Sequence, residues 1–579
     1  MRFAVLATLT LGSLLASASP PPTRVERGAP QSNIHHISPP FPPGFKPVLP
    51  PPVGRKPVSP SKLPTPTVRL DLASVEGTYD GHTHSYLGIP YAQAPVGHLR
   101  FSAPVANSPY TGKINATAFG NICYNFVSPQ PPFPTWITPE QLQFLEVFDT
   151  PAPAPSSEDC LNINVITPTS AKPGSRLPVV AYIFFGAFEF GGAFDVDGRN
   201  MVKRSVELGE PVIFVSMNHR LGPLGWLGGK EIKDVKQETS VSRIREALRW
   251  IQRYIIQFGG DPTKVTLLGL SSGGVSAALQ TVYNNGNTEG LFHALWAESG
   301  AIQPVGWIDA PQPQAAYNTY VASVGCSDAK DTLLCLRQAP VDAVTNVNAL
   351  TSVWTPHADG SVISDLPQTL LTEGHVAKIP VVAGNAEDEG TLFALNIPDI
   401  TNDMEFIELV MEAYFRNISS ADAETLLQMY PNDPAQGAPY GTGDDFQYTL
   451  MHKRFASFAG DTGVDAVRRF FTQQMSAHSN VWAYYYKRFY VPGFGSTHAS
   501  ELPDMYQSGN LQDIFIHFAN TLDPNGATNV TQNWPKYDTS NPVLLEFTRN
   551  TTPSLTNDTY REAAIEFLIE MGQKMPWPI

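Results

Sequence analysis

Basic residues are scarce in this chain. Its 579 residues carry 38 Lys and Arg against 53 Asp and Glu, a formal net charge of -15, and nowhere are the cations clustered into a patch. Nucleic acid and anionic membrane surfaces are therefore excluded as partners. Cysteine is scarcer still, with four residues and neither a Cys-x-x-Cys nor a Cys/His cluster, so no metal site and no cofactor is expected. Internal repeats are absent. Past the first 18 residues no apolar run is long enough to cross a bilayer, and neither a hydrophobic tail nor a retention tetrapeptide follows the last helical stretch. No integral membrane segment is expected in the mature chain.

What is present begins with Arg2, an apolar run from Phe3 to Leu15, and the small residues Ala16-Ser17-Ala18, the pattern of a secretory signal peptide over residues 1–18. Sixteen of the 53 prolines then lie between Pro20 and Pro66. Such a segment cannot bury a core and favours extended polyproline conformation, so residues 19–67 read as a linker or pro-segment and 68–579 as a single catalytic domain. An oxidising, extracellular destination makes disulfides plausible for the four cysteines. Three pairings are possible; Cys326 and Cys335 are near enough to close a small loop, and Cys123 with Cys160 would then close a longer one. Sequons start at Asn115, Asn417, Asn529, Asn550 and Asn557, expected glycan acceptors on a secreted surface.

The hydrophobic pattern changes period along the chain. Leu177–Phe185 and Pro211–Ser216 are short, β-branched apolar runs, read as buried strands. From Ser242 to Phe258 the apolar residues Ile244, Ala247, Leu248, Ile251, Ile255 and Phe258 recur at helical spacing until Gly259-Gly260 stops them. A strand resumes at Val265. Pro380–Gly384 and Val481–Tyr490 read as later strands, and Tyr560–Met571 as a closing amphipathic helix. This alternation predicts an α/β fold with a large, mostly parallel central sheet covered by helices on both faces, whose sites lie at the carboxyl ends of the strands.

One such end is Gly269-Leu270-Ser271-Ser272-Gly273. A glycine-rich turn after a strand is ordinary, but G-x-S-x-G also suits a strained elbow that lifts a serine hydroxyl out of the sheet. Serine becomes a nucleophile only when a base takes its proton, and an imidazole oriented by a carboxylate is the usual means. Among thirteen histidines, His452 and His517 fall in helical runs and His478 near the end of another, whereas His498 follows a strand. The acid belongs to the loop after Gly384, where Glu387, Asp388 and Glu389 could each reach. Between Cys123 and Cys160 the aromatics Phe126, Phe133, Trp136, Phe144 and Phe148 lie among prolines. They form either a packed satellite cluster or a cover over the site, with Phe133 and Trp136 offered to an acyl group.

Taken in order, Gly88-Ile89-Pro90-Tyr91-Ala92, Glu158-Asp159-Cys160-Leu161, Asn218-His219-Arg220-Leu221-Gly222, Phe258-Gly259-Gly260-Asp261-Pro262, the elbow, Asp388-Glu389-Gly390-Thr391 and His498 resemble the type-B carboxylesterase/lipase family. That resemblance, running from about Val68 to the C-terminus, implies the α/β-hydrolase fold and a secreted serine ester hydrolase, carboxylesterase or lipase. It implies Ser271 as nucleophile, Glu389 as acid and His498 as base; Gly186, Ala187 and Ser272 as oxyanion-hole residues; and disulfides Cys123–Cys160 and Cys326–Cys335. The partner is then a small-molecule or lipid ester, with oligomeric state unassigned. Two positions depart from the family: Leu270 stands where a glutamate is common in the elbow, and Phe185 where the first of three small residues is usual. If Gly186 absorbs the backbone demand, Phe185 fills space beside the acyl pocket; if not, the hole is broken, and the chain becomes a catalytically impaired binding or adhesion module, which the family also contains.

Overall fold

The structure, a computed structural model, describes residues 65–126, 133–148, 151–234, 241–346, 354–395, 397, 399–528, 530, 532–549 and 552–577. Residues 1–18, expected as a signal peptide, nearly all of the Pro-rich segment expected as a linker, Asn529 and Asn550 lie outside the described residues. The strands are β1 (Thr67–Leu70), β2 (Leu72–Glu76), β3 (Thr78–Tyr79), β4 (Thr83–Pro90), β5 (Thr111–Asn115), β6 (Asn162–Pro168), β7 (Leu177–Ile183), β8 (Ile213–Met217), β9 (Gly260–Leu270), β10 (Ala294–Glu298), β11 (Val381–Ala386), β12 (Val481–Tyr486), β13 (Val543–Phe547) and β14 (Ser554–Asn557). Strands β1, β2 and β5 form a small sheet, and the other eleven form one large sheet in the order β14-β13-β12-β11-β10-β9-β7-β8-β6-β4-β3.

Every pairing from β8 through β7, β9, β10, β11 and β12 to β13 is parallel, while the pairings at both margins are antiparallel. The parallel centre follows from helices that return the chain between strands, such as Gly198–Glu207, Val241–Tyr254 and Ser272–Leu279. Covered on both faces, β8, β11 and β12 are buried at every position. Hence Val481–Tyr486 is buried throughout with no inside-outside alternation, and it ends at Tyr486, short of the expected Tyr490. The helix from Val241 buries Ile244, Ala247, Leu248 and Ile251 at 1% exposure or less, each large apolar side chain contributing roughly 2 kcal/mol. It tightens into a 3-10 turn over Ile255–Phe258, after which Gly259 adopts a left-handed backbone.

The last helix is Glu562–Lys574, displaced toward the C-terminus from the expected span. Its approach is fixed by a buried ion cluster. Asp558 accepts from Arg468 Nη2 at 2.9 Å, from Arg469 Nε at 3.0 Å and from the Tyr537 hydroxyl at 2.9 Å. Both predicted disulfides are formed, with Cα–Cα distances of 5.0 Å for Cys123–Cys160 and 5.8 Å for Cys326–Cys335. Asn115, Asn417 and Asn557 are exposed, as glycan acceptors must be. Among the described residues no helix is long and apolar enough to cross a membrane.

Candidate active site

Strand β9 ends at Leu270 and the helix Ser272–Leu279 begins two residues later, leaving Ser271 to make the whole turn at φ 55°, ψ -127°. A non-glycine residue held there costs roughly 1–3 kcal/mol and persists only where the surroundings impose it. They do so by crowding: a Cβ on Gly269 would lie 2.3 Å from the Gly273 carbonyl oxygen, and one on Gly273 would lie 2.2 Å from that of Ile183. The Ser271 amide also donates to the Glu298 carbonyl at 2.8 Å, and Val275 N to the Ser271 carbonyl at 2.9 Å.

The three acids after β11 separate by environment. Glu387 is partly exposed and pairs with Lys487 at 3.0 Å. Asp388 is spent on the backbone, accepting from Tyr440 N and Ser496 N, each at 2.8 Å, while its own amide donates to the Ser496 carbonyl at 2.9 Å. These bonds tie the acid loop to the segment that carries His498, and Thr391 Oγ1 adds a contact to Thr497 Oγ1 at 2.8 Å. Burial and the neighbouring Glu387 charge push the Asp388 carboxyl up to about 7. Glu389 alone meets the imidazole, its Oε2 standing 2.6 Å from His498 Nδ1, while Oε1 accepts from Ala386 N at 2.6 Å and Ser299 Oγ at 2.7 Å. With Nδ1 so engaged, Nε2 is the ring nitrogen left available to accept a proton.

Ser271 and His498 line one cavity. No hydrogen bond joins the Ser271 hydroxyl to the imidazole, the loose geometry usual in substrate-free sites of this kind. Gly186, Ala187 and Ser272 line the same cavity, and among the described residues no main-chain hydrogen bond takes up their amides. Left-handed backbone falls on Gly186 at φ +119°, which glycine meets freely, and also on Ala187 at 53° and Phe188 at 64°, whereas Phe185 is outside the positive-φ residues. Phe185 therefore carries no left-handed strain. Its ring lines the cavity and meets Phe148 edge-on at 5.8 Å.

The cavity encloses about 920 Å³ of empty space including its mouth, and its walls are mostly apolar, among them Leu270, Phe393, Tyr414, Val464 and Trp577. Of the aromatics in the Cys123–Cys160 loop, Phe148 faces it. Trp136 and Phe133 do not; Trp136 instead stacks on Tyr448 at 3.7 Å, because a large ring on a surface loop gains more from a flat aromatic partner than from an open mouth. Sequence reasoning missed Tyr414, Val464 and Trp577, whose positions depend on long-range packing and carry no local motif. It also missed Ser299, although the buried apolar run Ala294–Ala297 ends in Glu298-Ser299-Gly300, a strand-end signal like that of the elbow. Among the described residues no cluster of His, Cys, Asp and Glu could hold a metal.

Residues 64–568 match the model of the Carboxylesterase family. Lipase 4 of Diutina rugosa is 35% identical over 486 residues, covering 79% of this chain and 86% of that protein. The secreted triacylglycerol lipase LIP1 of Gibberella zeae is 32% identical over 530 residues, covering 87% and 90%. The crystal structure of Aspergillus niger EstA superposes with a TM-score of 0.74 at 23% identity, covering 88% of this chain and 99% of that one, and so speaks to the fold. The chain belongs to the carboxylesterase family, an α/β-hydrolase-fold carboxylic ester hydrolase.

Proposed function

We propose that this ester hydrolase works through an acyl-enzyme on Ser271, with His498 as general base and Glu389 as the acid that orients it. The observation carrying the proposal is the 2.6 Å Glu389–His498 bond at the wall of the cavity that Ser271 lines. His498 Nε2 takes the serine proton as Oγ attacks the ester carbonyl; the tetrahedral oxyanion is received by the amides of Gly186, Ala187 and Ser272, the last at the positive end of a helix. Collapse expels the alcohol, protonated by His498, and water repeats the sequence to release the acid.

The substrate is a neutral ester with an apolar acyl group, and triacylglycerol, named for the Gibberella zeae relative, is the candidate lipid. Leu270 supports this, since it places an apolar wall beside the nucleophile. The binding-module alternative is not favoured: a non-catalytic relative has no need of a strained serine, free amides and a bonded carboxylate–imidazole pair in one cavity. Export behind residues 1–18, a linker over 19–67, one domain over 68–579, and glycans at Asn115, Asn417, Asn529, Asn550 and Asn557 complete the proposal.

The test is labelling with an organophosphate together with hydrolysis of p-nitrophenyl esters of graded chain length, with and without an emulsified interface. Wild type is expected to be modified at Ser271 and to lose turnover in parallel, and Ser271→Ala to be inactive. Full activity in Ser271→Ala, or an active enzyme unlabelled there, contradicts the reading.

A further inference from the structure

Behind Glu389 lies a proton count that does not close with two carboxylates. Ser299 Oγ stands 2.7 Å from Glu389 Oε1 and also 2.7 Å from Glu501 Oε1. A hydroxyl has one proton to donate, so one of the two carboxyls must supply a proton of its own. Their surroundings decide which. Glu389 accepts from Ala386 N and the His498 ring as well, three donors for an ionised carboxylate. Glu501 is fully buried, its Oε2 has no partner, and no Lys or Arg pairs with it among the described residues. A buried carboxylate so poorly served is costly, whereas the neutral acid needs a single acceptor.

The neighbourhood deepens the asymmetry. Glu501 is faced by Glu298 from β10, Glu389 from the loop after β11, Tyr484 from β12 and His498 from its own loop. Glu298 is itself fully buried, takes the Tyr506 hydroxyl at 3.1 Å and leaves Oε1 without a partner. It stands opposite Leu270 in the β9–β10 register, so an acid absent from the elbow is present on the adjoining strand. Burial and the Glu389 charge push the Glu501 carboxyl up to about 7, and burial with the Glu501 charge raises Glu298 well above the carboxylate range. Ser299 is held for its task in a left-handed backbone at φ 44°, its amide bonded to the Gly384 carbonyl at 2.8 Å.

We infer that Glu501 is the proton-bearing end of a relay, Glu501 O–H to Ser299 Oγ and Ser299 O–H to Glu389 Oε1, that fixes the orientation and charge of the carboxylate serving His498. Glu501 and Ser299 are positioning residues; neither touches the reacting atoms. The inference rests on the serine-hydrolase reading above. The Ser299 hydroxyl withdraws charge from Glu389. Without it the carboxylate holds the imidazolium more tightly, and activity requires a higher pH.

The experiment is the pH profile of kcat/KM for a p-nitrophenyl ester in the full chain, with Ser299→Ala, Glu501→Ala and Glu501→Gln, each first checked for thermal unfolding and for organophosphate labelling at Ser271. Ser299→Ala is expected to lose roughly tenfold or more in kcat/KM and to move the acid limb to higher pH. Glu501→Ala should move it the same way. Glu501→Gln, whose amide N–H can donate to Ser299 Oγ as the acid does, should recover most of the turnover that Glu501→Ala loses. If Glu501→Gln is as impaired as Glu501→Ala, or shifts the limb to lower pH, Glu501 acts as a charge and the relay is overturned. An unmoved limb in Ser299→Ala overturns it too; should that variant not fold, the two Glu501 variants decide. Wild type unlabelled at Ser271 would instead overturn the underlying reading.

Discussion

Two buried charge clusters lie on either side of the Asn385 end of β11, and they are built on opposite rules. Around Asp558 every acid has a cation: Arg468 and Arg469 both bind it, and Arg561 binds Asp461 at 2.9 Å. Around Glu389 the acids outnumber the cations, with Glu298, Glu501 and Glu389 sharing hydroxyl donors and one imidazole. The paired cluster cancels its charge in place and serves to pin the C-terminal strand and helix. The acid-rich cluster can sustain one full negative charge only by keeping its neighbours neutral, and that charge is delivered to His498.

The largest effect expected from breaking this contrast is kinetic. Glu389→Gln removes the charge the acid-rich cluster exists to hold, and kcat should fall roughly 10³- to 10⁴-fold while organophosphate-free protein melts close to wild type; steady-state kinetics and thermal melts on one preparation check both halves. The counterpart is thermodynamic. Asp558→Asn leaves two buried guanidinium groups facing each other without a counter-charge, and a loss of about 3–5 kcal/mol is expected in denaturant unfolding. Turnover per folded molecule should stay near wild type, since Asp558 lies outside the cavity. A variant order reversed in either assay would mean that the two clusters do not divide stability from catalysis in this way.

How much of this was legible from the sequence follows the range of the interactions. The parallel sheet, the elbow turn and the candidate serine, acid loop and histidine that the structure brings to one region were readable because each is announced locally, by an apolar run and the residues that end it. Choosing Glu389 over Asp388 and Glu387 was not decided by that local pattern. It depends on which carboxyl the His498 loop meets, and Asp388 is committed to Ser496 N and Tyr440 N, partners 108 and 52 residues away. Phe185 shows the same limit: its neighbours Gly186, Ala187 and Phe188 take the left-handed backbone, an outcome no residue pattern states. Nothing in the local sequence marks Glu298 and Glu501, whose full burial comes from long-range packing.

The contrast also predicts opposite pH limits. Burial raises Asp558, but the charges and hydrogen bonds of Arg468 and Arg469 outweigh it and hold the carboxyl at about 2 against a usual 3.8. Its folded value is depressed, so its stabilisation, about 2 kcal/mol, is present above 3.8 and lost as the pH falls toward 2. Glu501 is raised instead. Its contribution is complete below the ordinary glutamate value of 4.5 and is lost as the pH rises through about 7. Asp388 is raised to about the same value, so thermal midpoints plotted against pH should form a dome with Asp558 on its acid side and Glu501 together with Asp388 on its alkaline side. Asp558→Asn should flatten the acid side and Glu501→Gln the alkaline side; a dome unchanged by either substitution would assign the limits to other groups.

The smallest effect should come from a region that relies on neither kind of cluster. Beyond its disulfide and the Arg100–Glu158 ion pair at its base, the loop from Cys123 to Cys160 is held by rings and amides: Trp136 stacks on Tyr448, His452 meets both edge-on at 5.4 and 5.1 Å, and Gln141 Nε2 donates to the Tyr448 hydroxyl and the Pro492 carbonyl, each at 3.1 Å. Burial, reinforced by Lys453, keeps His452 down to about 4, so the clamp stays uncharged through the mildly acidic range. Inside it, Phe144 and Leu145 pack with Phe494, four residues before His498, and Phe148 turns toward Phe185. Trp136→Ala removes one stacked pair worth about 1 kcal/mol without altering any residue that lines the cavity. It should lower kcat/KM for long-chain p-nitrophenyl esters by roughly two- to fivefold, through loosened placement of Phe148, and leave acetate esters nearly untouched. Phe148→Ala, which removes the cavity wall itself, should show the same selectivity more strongly. If Trp136→Ala instead affects acetate and long-chain esters equally, the loop acts on the His498 segment through Phe494 rather than on the acyl chain.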